Sequence, residues 1–192
     1  MSPDTHPVLG IFASDHGPGD AERAAIMSQA GSYFARRGAQ SACLGDDQTL
    51  PVPLLTSARA AGGKVTVIAD DAFAGTPSLQ GIIVERLATA EERLRRLGAL
   101  SHVYVALPGS LASASALFLT WTRSGGGAGR KPVVFYDRNG AFRVMRGYTS
   151  DVVSNSVKRY DQLVQFADSI EDVWNKIAWL VDTGATTLSS RA

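Results

Sequence analysis

One stretch near the middle of the chain, Val103–Phe118, limits the folds that this sequence can adopt. It begins with a run of β-branched, aromatic and aliphatic residues, which is typical of a buried strand. The run stops at Pro108-Gly109 and is followed by small residues that favour a helix. Strand, tight turn and helix in this order are typical of α/β proteins, in which ligands bind beyond the carboxyl ends of the strands.

The same alternation continues along the rest of the chain. Further strands are predicted over Val8–Phe12, Ala39–Leu44, Lys64–Ala69, Lys131–Tyr136 and Asp161–Phe166. The segments between them are long enough for crossover connections, which parallel strands require. The sequence therefore predicts an α/β fold with a doubly wound parallel sheet of six or so strands and helices on both faces.

Helices are predicted from apolar spacing and from capping residues. The predicted helices include Asp20–Arg37, Leu50–Ala61 and a long amphipathic helix over Leu79–Leu97. Asp168 and Glu171 resemble a capping box at the start of the last helix.

Composition excludes several classes of protein. The chain has 192 residues, 45% of them hydrophobic and 19% charged, which fits a single globular domain over residues 1–182 with a flexible tail over 183–192. The net charge of +1 argues against a nucleic-acid polymer or an anionic membrane as partner. The first residues do not resemble a signal peptide, so a cytoplasmic protein is expected. The single cysteine, Cys43, is expected to be a buried apolar side chain.

Topology separates the loops into two groups. In a parallel sheet, all strand-to-helix turns lie at one edge, and that edge is the place for a ligand. The glycine-rich segment Gly125–Gly129 precedes a strand, so it is predicted to be a linker at the opposite edge. The loops at the ligand edge are Ser14–Gly19, Gly45–Thr49 and Pro108–Ser113.

Sequence motifs at these positions resemble a known family. The segments G-I-F-A-S-D-H-G-P-G, F-A-R-R-G, A-R-A-A-G-G-K-V-T-V-I, V-A-L-P-G and K-P-V-V-F-Y stand in the order and spacing of the LOG (Lonely Guy) proteins, which are often mislabelled lysine decarboxylases. The resemblance covers Leu9–Ile177. It implies a Rossmann-like homodimer without a cofactor that hydrolyses the N-glycosidic bond of nucleoside 5′-monophosphates to free base and ribose 5-phosphate.

The chain departs from the signature P-G-G-x-G-T-x-x-E of that family. Pro108-Gly109 is retained, and Arg93 stands at the position of the family's arginine. Ser110 and Ser113 replace a glycine and the threonine, and Ala116 replaces the glutamate. Loss of such a carboxylate commonly lowers a rate by ~10²–10⁴. These replacements favour a protein that keeps the fold of the family but does not catalyse its hydrolysis.

The family's upstream glycine loop, G-G-G-x-x-G-L-M-G, is also altered. Gly45 is retained, whereas Asp46 and Asp47 stand where a glycine and a variable residue are expected. A carboxylate ~4 Å from a phosphate repels it with a Coulomb energy of about 4 kcal/mol per charge pair, at an effective dielectric constant of ~20 and before screening by salt. This change also argues against the family's reaction.

Five aspartates follow predicted strands: Asp15, Asp46, Asp47, Asp70 and Asp71. They form either ordinary turns and caps or an acidic cleft for a cation. No histidine spacing indicates a metal site, and His102 is expected to be structural. Arg93 has two interpretations, phosphate binding or surface ion pairing, because Glu91–Arg95 and Glu92–Arg96 have helical pair spacing.

The leading hypothesis is a LOG-like protein that binds a nucleotide or a similar small ligand without hydrolysing it. The candidate ligand-binding residues are Ser14, Asp15, Gly45, Asp46, Arg93, Pro108, Gly109, Ser110 and Ser113. The alternative is a nucleoside 5′-monophosphate N-glycosidase whose acid has moved to Asp46, Asp47 or a glutamate on the Arg93 helix. A third possibility is a structural paralogue that pairs with an active LOG protein, so that a heterodimer stands beside the expected homodimer.

Overall fold

Seven parallel strands form the centre of the molecule. The computed structural model describes residues 6–15, 20–46, 49–75, 77–123, 131–153 and 160–183. The strands are β1 (Val8–Phe12), β2 (Gln40–Leu44), β3 (Val65–Ala69), β4 (Ile83–Arg86), β5 (Val103–Ala106), β6 (Val133–Tyr136) and β7 (Val164–Ala167). They pair in the order β4-β3-β2-β1-β5-β6-β7, all parallel. The predicted parallel α/β sheet is confirmed.

Helices cover both faces of this sheet. They are α1 (Asp20–Arg36), α2 (Val52–Ala60), α3 (Ala90–Leu100), α4 (Leu111–Arg123), α5 (Arg143–Tyr148), the single turn α6 (Tyr160–Leu163) and α7 (Ile170–Asp182). Short 3₁₀ turns occupy Pro77–Leu79 and Arg138–Gly140, and a π-helical turn occupies Thr149–Val153. Helices α1, α2 and α7 contribute to one hydrophobic core, and α3 and α4 contribute to the other.

The central strands are buried on both sides, which explains their continuous apolar sequences. Along β5, Val103 and Val105 belong to the core beneath α1, α2 and α7, while Tyr104 and Ala106 belong to the core beneath α3 and α4. The Tyr104 ring meets the Phe12 ring of β1 edge to face, with centroids 5.5 Å apart. Strand β5 is thus packed from both faces.

The chain reverses its direction of travel across the sheet between β1 and β5. From β1 it proceeds outward through β2 and β3 to β4, and it then returns to β5 on the other side of β1. Crossovers on the two sides of this point lie on opposite faces, so a crevice opens beyond the carboxyl ends of β1 and β5. The strand that begins at Val103 therefore ends at the position where such folds bind ligands.

The predicted helix over Leu79–Leu97 is wrong before Ala90 and confirmed from Ala90 to Leu97. Its first part is a turn at Gly81, with φ +80°, followed by β4, in which Ile83 pairs with Thr66 of β3. A helix begins only at Ala90, after Thr89 and Glu92 form a reciprocal capping box. The apolar spacing suited a helix, but strand pairing at the sheet edge prevailed in a run of consecutive β-branched residues.

Two predictions for the last strand and the last helix differ from the structure. The predicted strand Asp161–Phe166 begins instead with α6, and only Val164–Ala167 pairs with β6. The cap of α7 is Ser169, whose hydroxyl accepts a hydrogen bond from the Asp172 N–H at 3.1 Å, and not Asp168. A cap must directly precede the first helical residue, so the predicted cap was one residue too early.

The other predicted strands and the first two helices are confirmed within two residues at each end. The segment Gly125–Gly129 and, apart from Thr183, the predicted tail lie outside the described residues. Among the described helices, none is both long and apolar enough to cross a membrane.

Candidate functional site

The loops after β1 and β5 touch each other at the crevice. A Cβ atom on Gly109 would lie 2.4 Å from the Ser113 hydroxyl oxygen and 2.8 Å from the Ser14 backbone nitrogen. Only glycine leaves room for this approach, because real Cβ atoms do not come so close to backbone. Three predicted site residues, Ser14, Gly109 and Ser113, are therefore brought together.

Ser110 caps the amino terminus of α4, and Ser113 lies in the first turn of that helix. The Ser110 hydroxyl oxygen accepts from the Ser113 N–H at 3.1 Å, and the Ser113 hydroxyl donates to the Ser110 carbonyl at 2.8 Å. The first N–H groups of a helix have no acceptor within the helix and carry partial positive charge. The turn at Pro108-Gly109 thus places the positive end of α4 at the crevice.

A cleft of about 670 Å³ opens in front of this helix end. Its described lining is mostly apolar and includes Phe12, Leu117, Phe135, Phe142 and Met145. The Phe135 and Phe142 ring centroids lie 5.1 Å apart. We call this space the large chamber; its size and aromatic walls suit a flat ring system.

A second space of about 260 Å³, the small chamber, adjoins the large one. The two share Arg23, Pro108 and Ala141. The other described residues that line the small chamber are Glu22, Ile26, Tyr136, Arg138 and Asn139. The small chamber therefore adds charged and polar groups to the apolar cleft.

Sequence reasoning missed Arg23 and Arg138. Arg23 lies in the first turns of α1, after β1, and Arg138 lies two residues after the end of β6. Both positions follow strand ends at the ligand edge, which was the available signal. The positions are far apart in sequence, so only the folded chain places them beside the same space.

Asp137 organises the segment that forms one wall of the large chamber. Its side chain is 5% exposed, and its carboxylate accepts from the Phe142 N–H at 2.7 Å. It also accepts from Arg146, at 2.7 Å from Nη2 and 3.1 Å from Nε. Asn139, with φ +62°, makes the turn between these partners. These bonds hold Phe142 and Met145 against the cleft.

Arg93 does not line either chamber. Its Nη1 donates to the carbonyl oxygens of Leu87 and Ala88 at 3.0 and 3.1 Å and lies 3.8 Å from Asp70 Oδ2. These contacts fasten the connection from β4 to α3. The predicted phosphate-binding role of Arg93 remains an untested prediction, and its observed partners account for the residue without a ligand.

The helix that carries Arg93 is also paired differently from the predicted pattern. Arg96 binds Glu85 of β4, with Nε 2.6 Å from Oε2, so the predicted Glu92–Arg96 pair is wrong. Hydrogen bonds from Arg96 lower the pKa of Glu85. Glu92 instead accepts from the Thr89 N–H and hydroxyl, and these bonds lower the pKa of Glu92.

Gly45 and Asp46 serve the turn after β2. A Cβ on Gly45 would lie 2.5 Å from Val67 Cγ1, and the Gly45 N–H donates to the Ile68 carbonyl at 2.8 Å. The Asp46 carboxylate accepts from the Thr49 hydroxyl at 2.7 Å. Neither residue is among the described lining of the two chambers. Their predicted ligand contacts are likewise untested.

The aspartates at the ligand edge do not gather into a metal site within the described part of the chain. No group of three or more His, Cys, Asp or Glu side chains there could hold a metal ion. Asp70 accepts from the Ala72 N–H at 3.1 Å, an ordinary turn contact, and half-buried Asp15 follows β1. Asp47 and His16 lie outside the described residues.

Two titratable groups outside the cleft have structural roles, as predicted. His102 Nδ1 accepts from the Val8 N–H at 3.0 Å; burial, together with nearby Lys131, lowers the pKa of His102. Cys43 is fully buried in the core, and burial raises the pKa of its thiol, with a smaller contribution from Asp46. A buried thiol of this kind is not a nucleophile at neutral pH.

Comparisons with known proteins identify the fold. The sequence matches no protein-family model and no curated protein. The structure resembles the Moco carrier protein from Chlamydomonas reinhardtii, with a TM-score of 0.68 and 15% identity over 93% of this chain and 99% of that chain. It also resembles TM1055, with a TM-score of 0.68 and 20% identity over 91% of this chain and 99% of that one.

A third similar structure is the molybdenum cofactor binding protein from the phototrophic bacterium Rippkaea orientalis. Its TM-score is 0.66, at 16% identity over 93% of this chain and 99% of that chain. The likeness extends over nearly the whole sheet and its helices. This chain therefore has the doubly wound, Rossmann-like α/β fold of these three structures.

Proposed function

We propose that this protein binds a small ligand with a flat ring and an anionic group, and releases it unchanged. The observation that carries this proposal is the large chamber at the point between β1 and β5 where the chain reverses across the sheet. Its lining includes both aromatic side chains and the capped amino terminus of α4. Such clefts in parallel sheets bind ring-bearing phosphates.

Two compounds share this chemistry. The resemblance to LOG proteins suggests a nucleoside 5′-monophosphate, in which a base is joined to a phosphate through ribose. The similar structures from Chlamydomonas reinhardtii and Rippkaea orientalis suggest the molybdenum cofactor, a pterin that bears a phosphate. Both have the flat ring and the anionic end that the cleft would accommodate.

Binding without hydrolysis is supported by the residue types around the large chamber. Its described lining contains no carboxylate. Ala116, at the position of the family's glutamate, has only a methyl group, and its carbonyl accepts from the Thr120 hydroxyl at 2.7 Å. Among the described residues that line this chamber, none would supply a carboxylate to a glycosidic bond, and catalytic acids and bases commonly contribute ~10²–10⁴ to the rate.

Titration calorimetry tests the proposal. Purified protein is titrated with a panel of nucleoside 5′-monophosphates and with molybdenum cofactor released from a molybdenum enzyme. We expect saturable binding of at least one compound, and no free base by chromatography. Phe142→Ala should weaken binding about 10-fold, whereas Trp179→Ala, an exposed aromatic residue on α7, should not. If no compound binds, the proposal is wrong.

The alternative is hydrolysis by a relocated acid, and one observation favours a specific residue. Glu22 lines the small chamber, whereas two of the acids that the sequence suggested, Asp46 and Glu92, hold a turn and a helix cap. If the panel releases base at enzyme-like rates and Glu22→Gln abolishes the release, this alternative replaces the binding function.

We also propose that the protein is a homodimer, as the LOG resemblance implies. Exposed apolar side chains on α4 support this proposal, because Leu111 is 85% exposed and Phe118 and Leu119 are about 40% exposed. Light scattering after size-exclusion chromatography should give twice the chain mass of 20.3 kDa. A monomer at all concentrations would contradict the proposal, and co-purification with a second LOG-like chain would favour the heterodimer.

A further inference from the structure

We propose that Arg23 and Arg138 in the small chamber bind the anionic group of the ligand, while its ring occupies the large chamber. This inference rests on the proposed function and goes further, because it assigns the phosphate to two arginines that the LOG resemblance does not indicate. It also places the phosphate away from Arg93, the position suggested by that resemblance.

The two chambers adjoin each other. Arg23, Pro108 and Ala141 line both of them, so the two spaces meet at these residues. A ligand too long for one chamber would extend past Pro108 into the other. The apolar lining of the large chamber suits the ring, and the polar lining of the small chamber suits a charged group.

Charge in the small chamber favours an anion. Its described charged side chains are two arginines, Arg23 and Arg138, and one carboxylate, Glu22. Guanidinium groups bind phosphate with paired hydrogen bonds, and two of them from different loops could hold one phosphate from two sides. Tyr136 and Asn139 add a hydroxyl and an amide to the same lining.

The acid nearest to Arg138 in sequence is already neutralised. Asp137 is bound by Arg146 and by the Phe142 N–H. Arg138 is exposed and makes no ion pair with any acid among the described residues. Asn139, which directly follows Arg138, has a left-handed backbone conformation. The paired Asp137 on one side and this turn on the other therefore fix the backbone position of Arg138.

Arg93 offers a clear contrast and a matched control. It has the same charge and lies at the same edge of the sheet, but its guanidinium binds two backbone carbonyls and approaches Asp70. Its side chain is only 19% exposed. An anion at Arg93 would have to displace these partners, whereas an anion in the small chamber would not displace a described partner of Arg138.

The test compares phosphorylated and unphosphorylated probes on single variants. AMP and adenosine are titrated into wild type, Arg138→Met, Arg23→Met and Arg93→Met at fixed ionic strength, after circular dichroism has verified folding. Loss of a charged hydrogen-bonding partner should weaken AMP binding roughly 10- to 100-fold in the first two variants. Adenosine affinity should change less than about 3-fold, and Arg93→Met should bind AMP as wild type does.

Inorganic pyrophosphate provides a probe that needs no ring. Wild type should bind it, with at least about 10-fold weaker binding in Arg138→Met and Arg23→Met. If AMP and adenosine bind wild type equally, or if Arg93→Met alone weakens AMP, this inference is overturned while the proposed binding function stands. If pyrophosphate does not bind to wild type, the inference is also overturned. If AMP, pyrophosphate and the molybdenum cofactor all fail to bind wild type, the proposed binding function and the assignment of the two arginines are both wrong.

Discussion

Asp137 and Arg146 form an ion pair, 2.7 Å between Oδ2 and Nη2, at the base of the wall that encloses the large chamber. The carboxylate is buried and the guanidinium is about half exposed, with its carbon 4.2 Å from the Phe166 ring centroid. The same carboxylate holds the Phe142 N–H. One side chain thus connects the end of β6 to a helix and to the aromatic wall of the cleft.

Replacing Asp137 should therefore affect both stability and binding. Asp137→Ala leaves the Phe142 N–H and Arg146 without this acceptor, so we expect a loss of about 1–3 kcal/mol in the free energy of unfolding. Urea denaturation measures the loss, and Asp71→Ala, an exposed turn aspartate, should change stability by less than about 0.5 kcal/mol. In a double-mutant cycle, the pair with Arg146 should contribute only about 0.5–1 kcal/mol, because Arg146 is partly exposed to water. Equal stability of Asp137→Ala and wild type would contradict this account.

Gly109→Ala tests the contact between the β1 and β5 loops. The new methyl group would meet the Ser113 hydroxyl and the Ser14 backbone, so we expect destabilisation of about 1–3 kcal/mol and loss of ligand binding. Gly147→Ala is the matched control, because a Cβ there meets nothing within 4 Å. Within helix α5 it should raise stability by up to about 1 kcal/mol. Binding by Gly109→Ala at wild-type affinity would show that this loop contact does not shape the cleft.

Two variants at the start of α7 distinguish the observed cap, Ser169, from the predicted cap, Asp168. Ser169→Ala removes the acceptor for the Asp172 N–H and should cost about 1 kcal/mol. Asp168→Ala removes the residue that the sequence predicted as the cap and should stay within about 0.5 kcal/mol of wild type. Thermal and urea unfolding of both variants provide the comparison. The reverse order of stabilities would mean that the helix begins one residue earlier.

His102 should make stability depend on pH near neutrality. Because its pKa in the folded state is lowered, the unfolded chain binds the proton more readily as the pH falls. The contribution of neutral His102 is complete above the unfolded value of about 6.5 and is lost as the pH falls through the folded pKa. Half-burial keeps the slope well below the one-proton maximum of about 1.4 kcal/mol per pH unit.

His102→Asn keeps an acceptor for the Val8 N–H but cannot titrate. Urea unfolding at a series of pH values from 7.5 to about 5 should therefore show a flatter dependence for this variant than for wild type. Parallel curves would exclude His102 as the group responsible.

The architecture could be predicted to a large extent from the sequence, because it depends on local signals. Runs such as Val103–Ala106 are apolar at every position, which is typical of strands covered on both faces, and Gly38, with φ +82°, ends α1 where expected. The failure at Ile83–Arg86 has a physical cause. A short edge strand exposes part of its side chains, so its pattern of apolar and polar residues also fits a helix face.

The candidate site was predictable only in part, for a related reason. Sequence alone determined the alternation of strands and helices, and with it the edge of the sheet at which Pro108-Gly109 lies, since both follow from short-range residue patterns. Tertiary structure alone decided that Arg23 joins Arg138 at one chamber and that Arg93 binds backbone carbonyls instead. Contacts between distant residues depend on how the helices pack against the sheet, and no local pattern encodes that packing.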